Sequence, residues 1–128
     1  MKLSITGLQR ALENNQRRIE AMQPRGALGK AVQWGLLTAL RYVLQIIHVD
    51  TGALRASQRM RLSGLRGTIY IDPAAVNPRG HRPADYGPIE HARGGSHAFY
   101  ARTDAERGEE IVGGMIRIWA RGTLESVR

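Results

Sequence analysis

Three histidines, His81, His91 and His97, fall in one stretch of the chain together with the carboxylates Asp85 and Glu90. Imidazole and carboxylate are zinc-ligand types, but no two of these histidines sit one helical turn apart, the spacing that holds two ligands on one helix face. They read as surface or interface histidines. Asp85, Glu90 and Asp104 offer the types needed for paired acid and base chemistry. Nothing in the sequence sets their separation or removes them from water, so they read as ordinary solvated carboxylates. Ser57 has no identifiable histidine partner and no support as a nucleophile. Gly64 with Gly67, and Gly94-Gly95, lack the lysine and strand-to-helix setting of a phosphate-cradling loop and read as turns. There is no cysteine, which excludes disulfides, thiolate zinc sites and cysteine nucleophiles. The residue types point to a non-enzymatic protein with no metal and no cofactor.

Lysine and arginine number 19 against 11 acidic residues, a formal charge of +8 in 128 residues. Such a surface attracts polyanions or acidic proteins. The arginines are scattered, among them Arg17, Arg18, Arg55, Arg59, Arg61, Arg79, Arg82, Arg117 and Arg121, and few aromatic residues accompany them. A partner-binding surface fits this distribution better than dedicated nucleic-acid recognition, which remains the alternative. The apolar stretch 32–49 is broken by Gln33, Thr38, Arg41, Gln45 and His48, too polar for a bilayer span. The N-terminal residues lack the apolar block of a secretory signal, so the chain is expected to stay in the cytoplasm where it is made, without a membrane partner.

The length suits one domain, residues 1–128. Ile5, Leu8, Leu12, Ile19 and Met22 form one stripe of an N-terminal helix within 1–24, with Ser4 or Thr6 as cap and Pro24 as stop. Leu28, Val32, Leu36, Leu40, Val43 and Ile47, spaced by threes and fours, predict a core helix over 25–49. In 50–72 a turn, with Asp50 as a cap and Gly52 at the corner, leads into a hairpin with strands at 58–62 and 68–71. Residues 73–98, rich in proline and glycine, predict a long extended loop, a length that usually signals function. Over 99–128 a C-terminal helix and tail follow, with Thr103 or Asp104 as cap, Glu106, Glu109 and Glu110 near its positive end, and a possible bend at Gly113-Gly114. The expected class is α+β: long helices packed on a small, mainly antiparallel sheet.

Val49-Asp50-Thr51-Gly52-Ala53-Leu54-Arg55-Ala56-Ser57, after a long apolar helix and before a strand pair, resembles the Val-Asp-Thr-Gly-x-Leu-Arg-x-Ser signature of the siphophage tail-component family. That family includes the head-to-tail joining, neck and tail-completion proteins of tailed bacteriophages. Tyr86 with Ile89-Glu90 is similar to its next element, and Phe99-Tyr100-Ala101-Arg102 to its aromatic-arginine element. Glu90 is followed by His91-Ala92-Arg93-Gly94 and Phe99 is preceded by Ala98, where the family has an earlier glycine and a proline.

The resemblance implies a virion protein of the neck or tail, forming a homo-oligomeric ring, hexameric by the sixfold symmetry of tails. Its partners are then the head connector or adaptor and the tail-tube or tail-terminator proteins, with passing contact to genomic DNA. Val49, Asp50, Thr51, Gly52, Leu54, Arg55, Ser57, Tyr86, Ile89, Glu90, Phe99 and Arg102 are its site residues, in structural or interface roles. The long loop is expected to order on contact with a neighbouring ring. Taken without the resemblance, Asp50 is a cap, Gly52 a turn, Leu54 a core anchor and Arg55 a solvated charge.

Overall fold

The apolar run after Gly26 forms the central helix of the molecule. The computed structural model describes residues 5–23, 26–49 and 51–126. In order these form α1 (Ile5–Ala21), α2 (Ala27–Ile46), the single turn α3 (Ala53–Ala56), strands β1 (Gln58–Ser63) and β2 (Arg66–Ile71), α4 (Pro83–Ala92), a 3-10 turn at Gly95–His97, and α5 (Phe99–Ser126). The fold is α+β, mostly helical, with one two-stranded antiparallel sheet. Among the described residues no helix is long and apolar enough to cross a membrane.

Helices α2 and α5 run antiparallel along their lengths. Tyr42 donates to Glu106 near one end, Gly35 lies against Met115 at the middle, and Gly122 meets Ala27 at the other end. Small residues set this approach. A Cβ at Gly114 would lie 2.5 Å from Trp34 Cζ3, and one at Gly122 would lie 2.5 Å from the Ala27 Cβ. The Gly113-Gly114 pair therefore marks close helix packing rather than a break, and α5 is continuous through it.

The hairpin packs on α2. Its register pairs Gln58 with Ile71 and Ser63 with Arg66, so the strands extend beyond the predicted 58–62 and 68–71 and leave a two-residue turn. Gly64 takes φ +61 there, the left-handed geometry favoured in tight hairpin turns. Gly67 faces α2, where an added Cβ would lie 3.2 Å from Leu36 Cδ1.

The core gathers at one end of the molecule, where Val43 and Ile47 of α2, Leu54 of α3 and Phe99 of α5 form one buried cluster, with Ile46, Ile71, Tyr86 and Tyr100 packed around it. At the other end, cover is thin. The α1 stripe of Leu8, Leu12, Ile19 and Met22 is 46–61 % exposed, so its amphipathic pattern does not lead to burial within the chain. Ser4 and Asp50, expected as caps, lie outside the described residues, and nothing is described of the Thr6 side chain.

Two expectations are corrected. Residues 73–98 are not one extended loop: they contain α4 and the 3-10 turn. Pro83 starts α4, where its missing N–H costs nothing, and Pro88 lies within it. What holds this helix is packing, since a Cβ at Gly87 would overlap Ile71 Cδ1 and lie 3.0 Å from Leu54 Cδ1. The C-terminal helix starts at Phe99, ahead of the expected caps. Thr103 is buried and its hydroxyl donates back to the Phe99 carbonyl at 2.8 Å. Glu106, Glu109 and Glu110 thus fall outside the first turn, where the helix dipole is felt most.

Candidate functional site

The turn after α2 is built by local chemistry. Thr51 Oγ1 accepts the Ala53 N–H at 3.2 Å, and Gly52 takes φ +83 immediately before α3, a conformation glycine adopts without steric cost. This turn drives Leu54 into the core while Val49 and Arg55 stay exposed. Ser57 is buried, donates to the Leu54 carbonyl at 2.8 Å, and its own carbonyl accepts the Asp72 N–H at 2.8 Å. Its hydroxyl closes the turn, and its carbonyl ties the turn to the residue that follows β2.

Buried Gln58 extends this lock. Its Nε2 donates to the Leu54 carbonyl at 3.1 Å and its Oε1 accepts from the Tyr100 hydroxyl at 2.5 Å. Burial pushes the Tyr100 phenol up to about 12, opposed by the Gln58 hydrogen bond.

Beside Tyr100, Phe99 packs edge-on against the His91 ring, with centroids 5.2 Å apart. The His91 Nε2 accepts the Ala101 N–H at 3.2 Å, satisfying one of the unpaired donors in the first turn of α5. Arg102 reaches the Ser96 carbonyl at 3.2 Å and Glu106 Oε1 at 3.0 Å.

On α4, Glu90 is not an ordinary solvated carboxylate. Its side chain is only 16 % exposed, with His97 Nδ1 2.5 Å from Oε1 and Arg93 3.1 Å from Oε2. The His97 hydrogen bond holds the carboxyl below the usual glutamate range against the opposing effect of burial, and Arg93 adds to the lowering. His48 lies against His97, with ring centroids 5.5 Å apart. Asp85 is solvated as expected and pairs with Arg82.

These segments surround one open cleft of about 630 Å³. Thr51, Gly52 and Leu54 line it from the turn, and Tyr86, Ile89 and Glu90 from α4. His48, Arg79, His81 and Arg82 add polar groups to its lining. Ile89 is 68 % exposed there. Of the predicted site residues, Phe99 and Ser57 support this arrangement from the core, Arg102 braces the 3-10 turn, Val49 and Arg55 stand on the surface, and Asp50 is outside the described residues.

A cleft with an apolar wall and mixed charges suits a docked side chain or peptide segment. Among the described residues no group of three or more His, Asp or Glu is placed to hold a metal. Sequence reasoning missed the supports His48, Gln58, Arg93 and Tyr100. Tyr100 stood inside a noted motif, whereas the Glu90 to His97 contact spans a turn with no periodic signal. No protein-family model, no curated protein and no solved structure matches this chain.

Proposed function

We propose that this chain is a structural, non-enzymatic subunit of a tailed-bacteriophage particle. It is made in the bacterial cytoplasm and assembles as a ring, hexameric, where the head connector meets the tail. The observation that carries the reading is convergence. Leu54, Tyr86 and Phe99, one from each of the three motif segments, are far apart in sequence yet meet at one core cluster, and Thr51, Gly52, Leu54, Tyr86, Ile89 and Glu90 line one adjoining cleft. Uncovered apolar residues on α1 and α5 add to it, because contiguous exposed apolar surface marks interaction sites. Partners of such a ring are a second copy of the chain and the connector and tail-tube or terminator proteins on either side.

The mass of the purified protein is measured by light scattering, alone and mixed with head connector and tail-tube proteins. A ring that forms or grows on mixing is the expected result; a mass unchanged by either partner overturns the reading. Ile89→Asp tests the cleft in the same assay. It sits on an exposed position and should leave stability within about 0.5 kcal/mol while weakening partner binding.

Nucleic-acid binding is the second reading, favoured by the arginines on the hairpin. It predicts retention of a short DNA duplex with a steep salt dependence.

A further inference from the structure

Resting on the ring reading above, we propose how one copy meets the next: the arginine face of the hairpin docks on the acidic segment 104–110 of α5 in a second copy, head to tail. Cross-strand partners share a face, so Arg59 with Tyr70, Arg61 with Thr68, and Arg66 with Ser63 stand together. Gly67, on the opposite face, turns toward Leu36 of α2, which leaves the arginine face outward. Residues 55–71 carry four arginines and no acid. Arg59 pairs with Asp72, while among the described residues Arg55, Arg61 and Arg66 have no carboxylate within salt-bridge distance.

The complementary surface lies on α5. Residues 104–110 carry four carboxylates and one arginine. Asp104 and Glu109 are exposed and, among the described residues, lack a cationic partner. Helical spacing continues the Glu109 row into Val112, Ile116 and Trp119, exposed by 53, 56 and 36 %. At the tip of the hairpin Leu65 is 41 % exposed, whereas Met60 and Leu62 stand on the opposite face with Gly67. Each surface thus combines charge of one sign with uncovered apolar area, at Leu65 on the hairpin and at Val112, Ile116 and Trp119 on α5.

Within one chain the two surfaces do not meet. Leu36 faces the hairpin, whereas Trp34, Gly35 and Tyr42 face α5, so α2 carries them on different flanks. Every copy then offers one basic and one acidic surface, the arrangement of a heterologous contact that closes into a ring when its rotation allows. Exposed ion pairs contribute little individually, so the contact between two free copies is weak and gains from a complete ring or a templating partner.

The cysteine-free sequence allows a direct test. Leu65→Cys and Val112→Cys are placed together in the full chain and oxidised at high protein concentration. A ladder of cross-linked multimers is expected, with nothing above a dimer from either single variant. Separately, Arg61→Glu with Arg66→Glu, and Asp104→Arg with Glu109→Arg, should each weaken self-association about tenfold, the sum of several exposed pairs; the two reversals combined should restore it.

An absent ladder, or reversals that leave the mass unaltered, overturns the contact. If the protein still forms rings in that case, the ring reading stands and only this surface is wrong. A monomer in every mixture sinks both. If the arginine reversal abolishes retention of a short DNA duplex and leaves the mass unaltered, the hairpin face is a nucleic-acid surface and the proposal falls.

Discussion

The Glu90 carboxylate and the His97 imidazole, seven residues apart, meet at 2.5 Å and fasten the end of α4 to the 3-10 turn that leads into α5. Glu90→Gln removes the charge while keeping the shape. At neutral pH it should destabilise the protein by about 1–2 kcal/mol, the scale of a charge-assisted hydrogen bond, a fall in Tm of roughly 3–8 °C.

The pH dependence of that difference has a definite sign. The folded carboxyl is held low by His97 and Arg93, so its contribution is fully present above the ordinary glutamate value of about 4.3 and is lost as pH falls through the depressed folded value. Thermal melts of parent and Glu90→Gln from pH 7 to pH 3 should therefore converge toward acid. A constant gap would show that the charge plays no part.

Gly113 and Gly114 are neighbours with opposite expectations. At Gly114 a Cβ meets the rigid Trp34 ring, whereas at Gly113 its nearest neighbour is the flexible Arg117 guanidinium, 3.5 Å away. Gly113→Ala should stabilise by about 0.5–1 kcal/mol through helix propensity. Gly114→Ala should lower Tm, because overpacking of about 1–3 kcal/mol outweighs the same gain. Denaturant unfolding of the two variants checks the contrast, and equal shifts would mean that the Trp34 contact does not constrain the helix pair.

Tyr100→Phe leaves buried Gln58 Oε1 without its donor and should cost about 1–3 kcal/mol. The parent phenol, pushed up to about 12 by burial, contributes stability that is present below the ordinary tyrosine value of about 10 and is lost as pH rises toward the folded value. An absorbance titration of the folded protein should show a late phenolate rise that disappears in Tyr100→Phe.

How much was legible in the sequence differs by element. The period of Val32, Leu36, Leu40 and Val43 marked α2, and the alternation in Met60, Leu62, Ile69 and Ile71 marked the hairpin, because both depend on hydrogen bonds and side-chain periods closed within a short window. The corner at Gly52 was legible for the same reason, as a local glycine signal, whereas the Thr51 hydroxyl that accepts the Ala53 N–H was not anticipated.

Tertiary packing decided the rest. Pro83 and Pro88 argued locally for a loop, yet Gly87 seated on Leu54 and Ile71 makes that segment a helix. The Thr103 and Asp104 caps gave way to a start at Phe99, whose ring is buried in the core. The stripe on α1 is clear in sequence, but its exposure is not, since periodicity says that a face is apolar and never what covers it. The cleft follows the same rule: the types of Leu54, Tyr86 and Ile89 are written in the chain, while their proximity arises only when α4 folds back over the turn after α2.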